Sequence, residues 1–379
     1  YKEGEADLRA ATTGLRRVLG SDHPDTLRSM MMTGFCLMYQ GKHDLAQPLF
    51  REVYGRRRRT QGDDHPDTLA SLRDLALVLV NLGKFKEALP YAEASVEGFR
   101  RLQGSAPANR DGNALNAKDT LSAVYLELGR YAESEALSRE AAEAGRQLLG
   151  DNHPHSVVLT HNLATALENQ GRFAEAEVYL RQALEGRRAA VGDAHQDVLY
   201  IQADLANTLA KQGKRDEAEL MLRKVVADHQ RLFGKDDIKT KNLAYDLALL
   251  LLDQDKFNEA EALIVPVLAV WRRTFGKEDP HTLQAMSRLA SAMRRKGDIS
   301  GAKALLQDAR TMQRRTLGDQ NIDTLWSIGE LAAVARAEGN LEQAETLLRE
   351  ALAGYRQVRG DKHADTLDTI EALIDFFHE

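Results

Sequence analysis

Apolar residues recur along this chain at three- and four-residue spacing. In the stretch 157–192 they fall at Leu159, Leu163, Ala166 and Leu167, then again at Phe173, Ala176, Leu180, Ala183 and Leu184. Each set covers one face of a 3.6-residue helix and leaves the other face polar. Gly171 lies between the sets, where a helix ending needs a left-handed residue. The pattern predicts two antiparallel helices joined by a tight turn.

That unit repeats. A closing glycine returns at Gly20, Gly62, Gly104, Gly150, Gly192, Gly234, Gly276, Gly318 and Gly360, in steps of 42 residues except for one of 46 between Gly104 and Gly150. The turn glycine follows the same step through Gly41, Gly83, Gly129, Gly171, Gly213, Gly297 and Gly339, with Asp255 replacing it once. Asp tolerates the left-handed region better than most residues with a side chain, so it suits the same turn. A period of this length implies an all-α, right-handed superhelical solenoid, in which each hairpin buries its apolar face only against its neighbours. A single solenoid over 1–379 is therefore expected, with an orphan second helix at 1–19, eight helical hairpins at 27–360 and a terminal first helix at 367–379. Tyr1 holds the aromatic place that opens second helices elsewhere (Phe85, Tyr131, Phe173, Phe257), so the sequence reads as a piece of a longer protein, whose upstream part could hold a targeting signal or a catalytic domain. At the other end, Phe376 and Phe377 are either exposed or folded back as a cap.

The connectors carry their own motif, GSDHPDTL from position 20 and GDDHPDTL from position 62. Histidine at its fourth place (His23, His65, His153, His195, His363) invites a metal reading. Asp237, Asp279 and Asn321 fill the same place in other copies, and Pro24, Pro66, Pro154 or Pro280 follows in four, which points to helix capping instead. No metal or cofactor is expected. The connector after Gly104 is four residues longer, lacks the motif and reads as a protruding loop over 105–113. Arginine recurs near the end of second helices, most densely at Arg56, Arg57, Arg58 and Arg59, and reads as inter-repeat ion pairing or a solvated face. Pro48 and Pro90 fall near the start of second helices, whereas Pro266 lies deep enough to bend one.

Composition narrows the function. The net charge of −6 favours neither nucleic acid nor an anionic membrane as partner. The single cysteine, Cys36, sits in an apolar run and reads as a buried thiol of a reducing, cytoplasmic setting. The longest apolar run, 243–252, is broken by Asp246, and no signal peptide opens the sequence. Phosphate-loop, nucleophile-elbow and HExxH motifs are all missing, so no catalytic residues are assigned.

The core of 162–184, NLATALENQGRFAEAEVYLRQAL, resembles the tetratricopeptide repeat, with Leu163, Ala164, Leu167, Ala176, Leu180 and Ala183 at the repeat's packing positions. The family's usual unit is about 34 residues; the 42-residue step is similar to the kinesin light chain subclass, which also occurs in bacterial regulatory proteins. Thr33 and Gly34 depart from the pattern in the first hairpin. The resemblance implies a non-enzymatic scaffold that binds a peptide or protein in a concave groove lined by first helices. An alternative is the sensor or recruiting arm of a larger kinase or signal-transducing ATPase. Carried over by position, the groove would present Arg28, Met32, Phe35, Arg73, Asp74, Leu77, Asn116, Asp119, Thr120, Val158, His161, Asn162 and Thr165. It would continue with Tyr200, Asp204, Asn207, Asn242, Tyr245, Asp246, Leu249, Gln284, Arg288, Ser291, Trp326 and Glu330. These positions read as polar and aromatic where the packing faces are Leu and Ala. Carboxylates in the middle (Asp119, Asp204, Asp246) and arginines beyond (Arg288, Arg294, Arg295, Arg336) suggest an extended ligand with basic residues in its middle and acidic ones near Arg288, anchored between Tyr200 and Tyr245, with Glu219 as an uninvolved outer carboxylate. Neither nucleic acid nor membrane is expected as a partner, and self-association through the terminal repeats stays open.

Overall fold

The computed structural model describes residues 2–103, 112–361 and 363–378; the long connector after Gly104 lies almost wholly outside them. Among the described residues there are helices and no strands. In chain order they are α1 (Lys2–Leu19), α2 (Pro24–Tyr39), α3 (His43–Gln61), α4 (Pro66–Asn81), α5 (Phe85–Gln103), α6 (Asn113–Glu127), α7 (Tyr131–Leu149), α8 (Pro154–Glu168) and α9 (Phe173–Val191). They continue as α10 (Gln196–Lys211), α11 (Arg215–Phe233), α12 (Ile238–Asp253), α13 (Phe257–Thr274), α14 (Pro280–Arg295), α15 (Ile299–Thr316), α16 (Ile322–Ala337), α17 (Leu341–Arg359) and α18 (Ala364–His378). The hairpins are α2–α3 through α16–α17. Two compact units are present, Tyr1–Ile201 and Gln202–Glu379, divided inside α10. In the first, each helix from α1 to α9 packs on the next; in the second, each from α11 to α18 does.

Each connector folds as its motif requires. His23 Nδ1 accepts from the Asp25 amide at 3.2 Å, and His65, His153, His195 and His363 repeat the bond. Asp237, Asp279 and Asn321 do the same with carboxylate or amide oxygens. The histidines are thus N-caps. The motif threonine contributes a bond that its spacing did not reveal: Thr26 Oγ1 donates to the Gly20 carbonyl at 2.9 Å, as Thr240, Thr324 and Thr366 do to theirs. In these four connectors the bond ties the first turn of the first helix to the end of the helix before it, whereas the equivalent Thr68 and Thr282 hydroxyls make no hydrogen bond to any described residue.

At the turns, Gly171 has φ of 74°. Its amide donates to Glu168 O and the Arg172 amide to Leu167 O, the paired bonds of a Schellman ending. At Asp255, with φ of 58°, the same pair forms: its amide donates to Leu252 O and the Lys256 amide to Leu251 O.

The core runs along the hairpin crossings. Ala46, Ala88, Ala176, Ala218, Ala260, Ala302 and Ala344, at one repeat position, are fully buried. The departure at Gly34 has a steric cause: a Cβ there would lie 2.8 Å from the Phe50 ring, so the missing side chain makes room for a large one. Gly98 and Gly354 similarly admit Leu69 and Leu325, each 2.2 Å from an added Cβ. In the third hairpin Ser122, Ser134 and Ser138 replace the usual Ala, Ala and Leu, and their buried hydroxyls bond one another at 2.6 to 2.9 Å.

Several expectations need correction. Arg57 is buried, not solvated, and donates to the Asp67 carbonyl and Ser71 hydroxyl. The recurring arginine pairs chiefly within its own connector, as in Arg58–Asp63, Arg188–Asp193 and Arg356–Asp361; the residue beside it crosses between repeats, as in Arg59–Asp22 and Arg101–Asp64. Pro48 and Pro90 lie in the second turn of α3 and α5, further in than expected. Phe376 packs partly buried against the core, while the Phe377 side chain lies outside the described residues. Cys36 is buried, as its apolar run suggested. No helix among the described residues is long and apolar enough to cross a membrane.

The turn geometry yields a stability test. Gly171→Val is expected to cost at least ~1 kcal/mol, because a β-branched residue is forced to positive φ, and Gly171→Asp less. Denaturant unfolding of both variants checks this; equal losses would contradict the turn described.

Candidate functional site

Two positions per first helix, four residues apart, stand in one register: Arg28 and Met32, Ala70 and Asp74, Asn116 and Thr120, Val158 and Asn162, Tyr200 and Asp204, Asn242 and Asp246, Gln284 and Arg288, Trp326 and Glu330. One helical turn separates the members of each pair, which places them on one stripe.

In the first unit Arg28 is exposed beside Asp25, and half-buried Phe35 meets Phe50 edge-on at 5.1 Å. Arg73 donates through Nε and Nη2 to one oxygen of Asp74 at 2.9 and 2.6 Å, and through Nη1 to Asn113 at 3.1 Å. Asp74 is only 1% exposed, so it serves Arg73 and does not face a ligand as expected. Burial pushes its carboxyl upward, and Arg73 opposes the shift. Asn162 donates to Asp119 at 2.6 Å, and burial raises the Asp119 carboxyl as well. Nearby His155 is held low by burial. Asp119, Asn162 and Thr165 line a cavity of about 90 Å³ with Ser122 and Ser134, at the small side chains of the third hairpin. Asn116 and His161 are half-buried on the same helices, and Tyr200 is half-buried on α10.

The second unit holds a larger pocket of about 430 Å³, lined by Asn242, Tyr245, Asp246, Leu249, Trp271, Phe275, His281 and Gln284. Tyr245, at 5% exposed, is more deeply set than the sequence suggested. Its ring lies 4.9 Å from that of Trp271, its hydroxyl donates to Gln284 at 3.3 Å, and Gln284 donates to Asp323. The Trp271 indole donates to Asn242 at 3.1 Å. Burial, with Asp204 adding repulsion, pushes the Asp246 carboxyl up to about 6. Asp204 and Asn207 are half-buried. Further along, the Arg288 guanidinium stacks 4.0 Å over Trp326, and Arg294 pairs with Glu330 at 3.1 Å. Arg295 pairs with Asp255, so the basic end is partly neutralised from within. Glu219 is no idle control either, since it binds Arg223 and Lys256.

Sequence reasoning missed Trp271, Phe275 and His281, because the first two lie at the end of a second helix and His281 in the first turn of α14, all outside the first-helix stripe. The available signal was an aromatic pair one turn apart, followed by histidine directly after the capping Asp-Pro.

The tetratricopeptide repeat family profile matches residues 33–101, 113–189, 156–231 and 240–315, with related repeat profiles over 196–275 and 324–365. The chain belongs to the tetratricopeptide repeat family. Among solved structures it is similar to nearly identical repeats of a putative kinesin light chain of Podosopora anserina, at 25% identity over 55% of this chain and 97% of that one, with a TM-score of 0.48. It also resembles BtubC (BKLC) from P. vanneervenii, at 22% identity over 62% and 92% of the two chains, with a TM-score of 0.53. The apo quorum sensor NprR from B. thuringiensis shares the fold at 12% identity over 93% and 99%, with a TM-score of 0.56. A comparison with curated proteins finds no match.

The raised Asp246 carboxyl makes a pH prediction. The folded state holds this proton more tightly than the unfolded chain, so the group is neutral and costs nothing at low pH; its ionisation lowers stability as pH rises from about 4 to about 6, and the loss persists above. Asp246→Asn is expected to raise unfolding stability by about 1 kcal/mol at pH 7.5 and to leave it unchanged near pH 4, measured by denaturant titration. No gain at pH 7.5 would contradict the desolvation of this group.

Proposed function

We propose that this chain is a non-enzymatic interaction scaffold that captures a polypeptide along the polar stripe of its first helices. The observation that carries the reading is the stripe itself. Asn162, Asp204, Asn242 and Asp246 occupy it, with Asp119 bonded to Asn162 beside it, where the packing faces of the same helices carry Leu and Ala, and the Asp119 and Asp246 carboxyls are kept partly desolvated. Polar groups held in this way lose less on meeting a partner, and amides such as Asn162 and Asn242 pair with both donors and acceptors of a backbone. Membership of the repeat family supports the same reading. A role as the sensing or recruiting arm of a larger signalling protein is a second reading, favoured by the likeness in fold to a quorum sensor.

Selection of binders from a random peptide library on the intact chain tests the proposal. Asn162→Ala and Asp204→Lys should each weaken a selected peptide by about tenfold at low salt, the second effect shrinking as salt rises, whereas Glu143→Lys on exposed α7 should change little. Equal effects at all three positions would refute the assignment of the stripe.

A further inference from the structure

The pocket of the second unit differs in kind from the rest of the stripe. Its walls are aromatic: Tyr245 and Trp271 form the floor, almost wholly buried, and Phe275, 48% exposed, stands at the rim with His281. The rings sit at angles to one another, Trp271 to His281 at 77° and 6.1 Å between centroids, so their faces do not all stack shut. The polar atoms of the floor are already engaged, the indole with Asn242 and the phenol with Gln284. Asp246 is left with no hydrogen bond or ion pair from any described residue, and none of the eight lining residues is lysine or arginine.

A carboxylate kept in such a place with only another carboxylate, Asp204, acting on it is an uncompensated charge. Aromatic faces attract cations and repel anions, and a desolvated site strengthens that preference. The alkyl stem of a long basic side chain would meet the rings while its charge reached the carboxylate.

We propose that this pocket receives the cationic side chain of a lysine or arginine from a bound polypeptide, with the rings of Trp271, Tyr245 and Phe275 against its stem and Asp246 as its counter-charge. The inference rests on the polypeptide-binding reading above and names the residue type selected at one place along it. The volume of about 430 Å³ accommodates either side chain.

The chain has 2 tryptophans, so two indole resonances report on the two aromatic sites, and Trp326→Phe assigns them. The full chain is titrated with hexapeptides identical except for a central lysine, arginine or norleucine. The lysine and arginine peptides should move the Trp271 resonance saturably, with norleucine weaker by at least about tenfold. Asp246→Asn, a shape-preserving change, should abolish the preference for charge, and Phe275→Ala at the exposed rim should weaken all three peptides without disturbing the fold. Norleucine binding as well as lysine, shifts confined to Trp326, or no shift at millimolar peptide would overturn the proposal. Tetramethylammonium binding as tightly as the lysine peptide would overturn a polypeptide as the source of the cation. A library-selected partner that loses affinity through Asn162→Ala but not Asp246→Asn would sink the pocket and keep the scaffold reading. Cationic peptides that move Trp271, while every selected partner ignores the stripe substitutions, would do the reverse.

Discussion

Two helices of a hairpin come only as close as the side chains at their crossing allow, and in this protein that distance is held short by alanine. Ala46, Ala88 and their counterparts are fully buried at the crossing, where any larger group would push the helices apart and expose the leucines on either side. The first hairpin obeys the same constraint. Phe50, where most other hairpins carry Leu or Ile, is admitted because Gly34 gives up its side chain. Repeat packing thus tolerates local changes of size if the partner position changes in the opposite sense.

Close crossings also decide which positions of the first helices are left out of the packing. Once the Leu and Ala faces are spent on packing, one turn of each first helix is left over, and its residues do not have to pack within the hairpin. The chain fills these places with residues that are costly to desolvate, among them Asp119, Asp246 and Asn162. Asp246 gains no hydrogen bond from any described residue for the stability its ionisation gives up at neutral pH, and that is the physical ground for seeking its role in binding.

Much of this was legible in the sequence because the repeat samples each position many times. A histidine read once is ambiguous; read beside Asp237, Asp279 and Asn321 at the same place it is a cap, and the bond from His65 to the Asp67 amide agrees. Asp255 in the glycine turn was readable for the same reason. What escaped were features that occur once or depend on partners far apart in sequence. The burial of Asp74 and Arg57 is set by what packs over them, and the aromatic floor joins Tyr245 of one helix to Trp271 of the next, 26 residues away. No periodicity reports such a pairing.

The serines of the third hairpin have a kinetic consequence. Leu180, Leu222 and Leu306 each bury a full aliphatic side chain where Ser138 offers a hydroxyl, a difference of about 2 kcal/mol in apolar burial that the bonds among Ser122, Ser134 and Ser138 only partly offset. In an array held together by nearest neighbours, the weakest unit sets where cooperativity breaks. The amides of α6 and α7 should therefore exchange with solvent through sub-global opening before those of α4 or α8, dividing the first unit into separate foldons on either side of a hairpin whose core is bonded where its neighbours are greased.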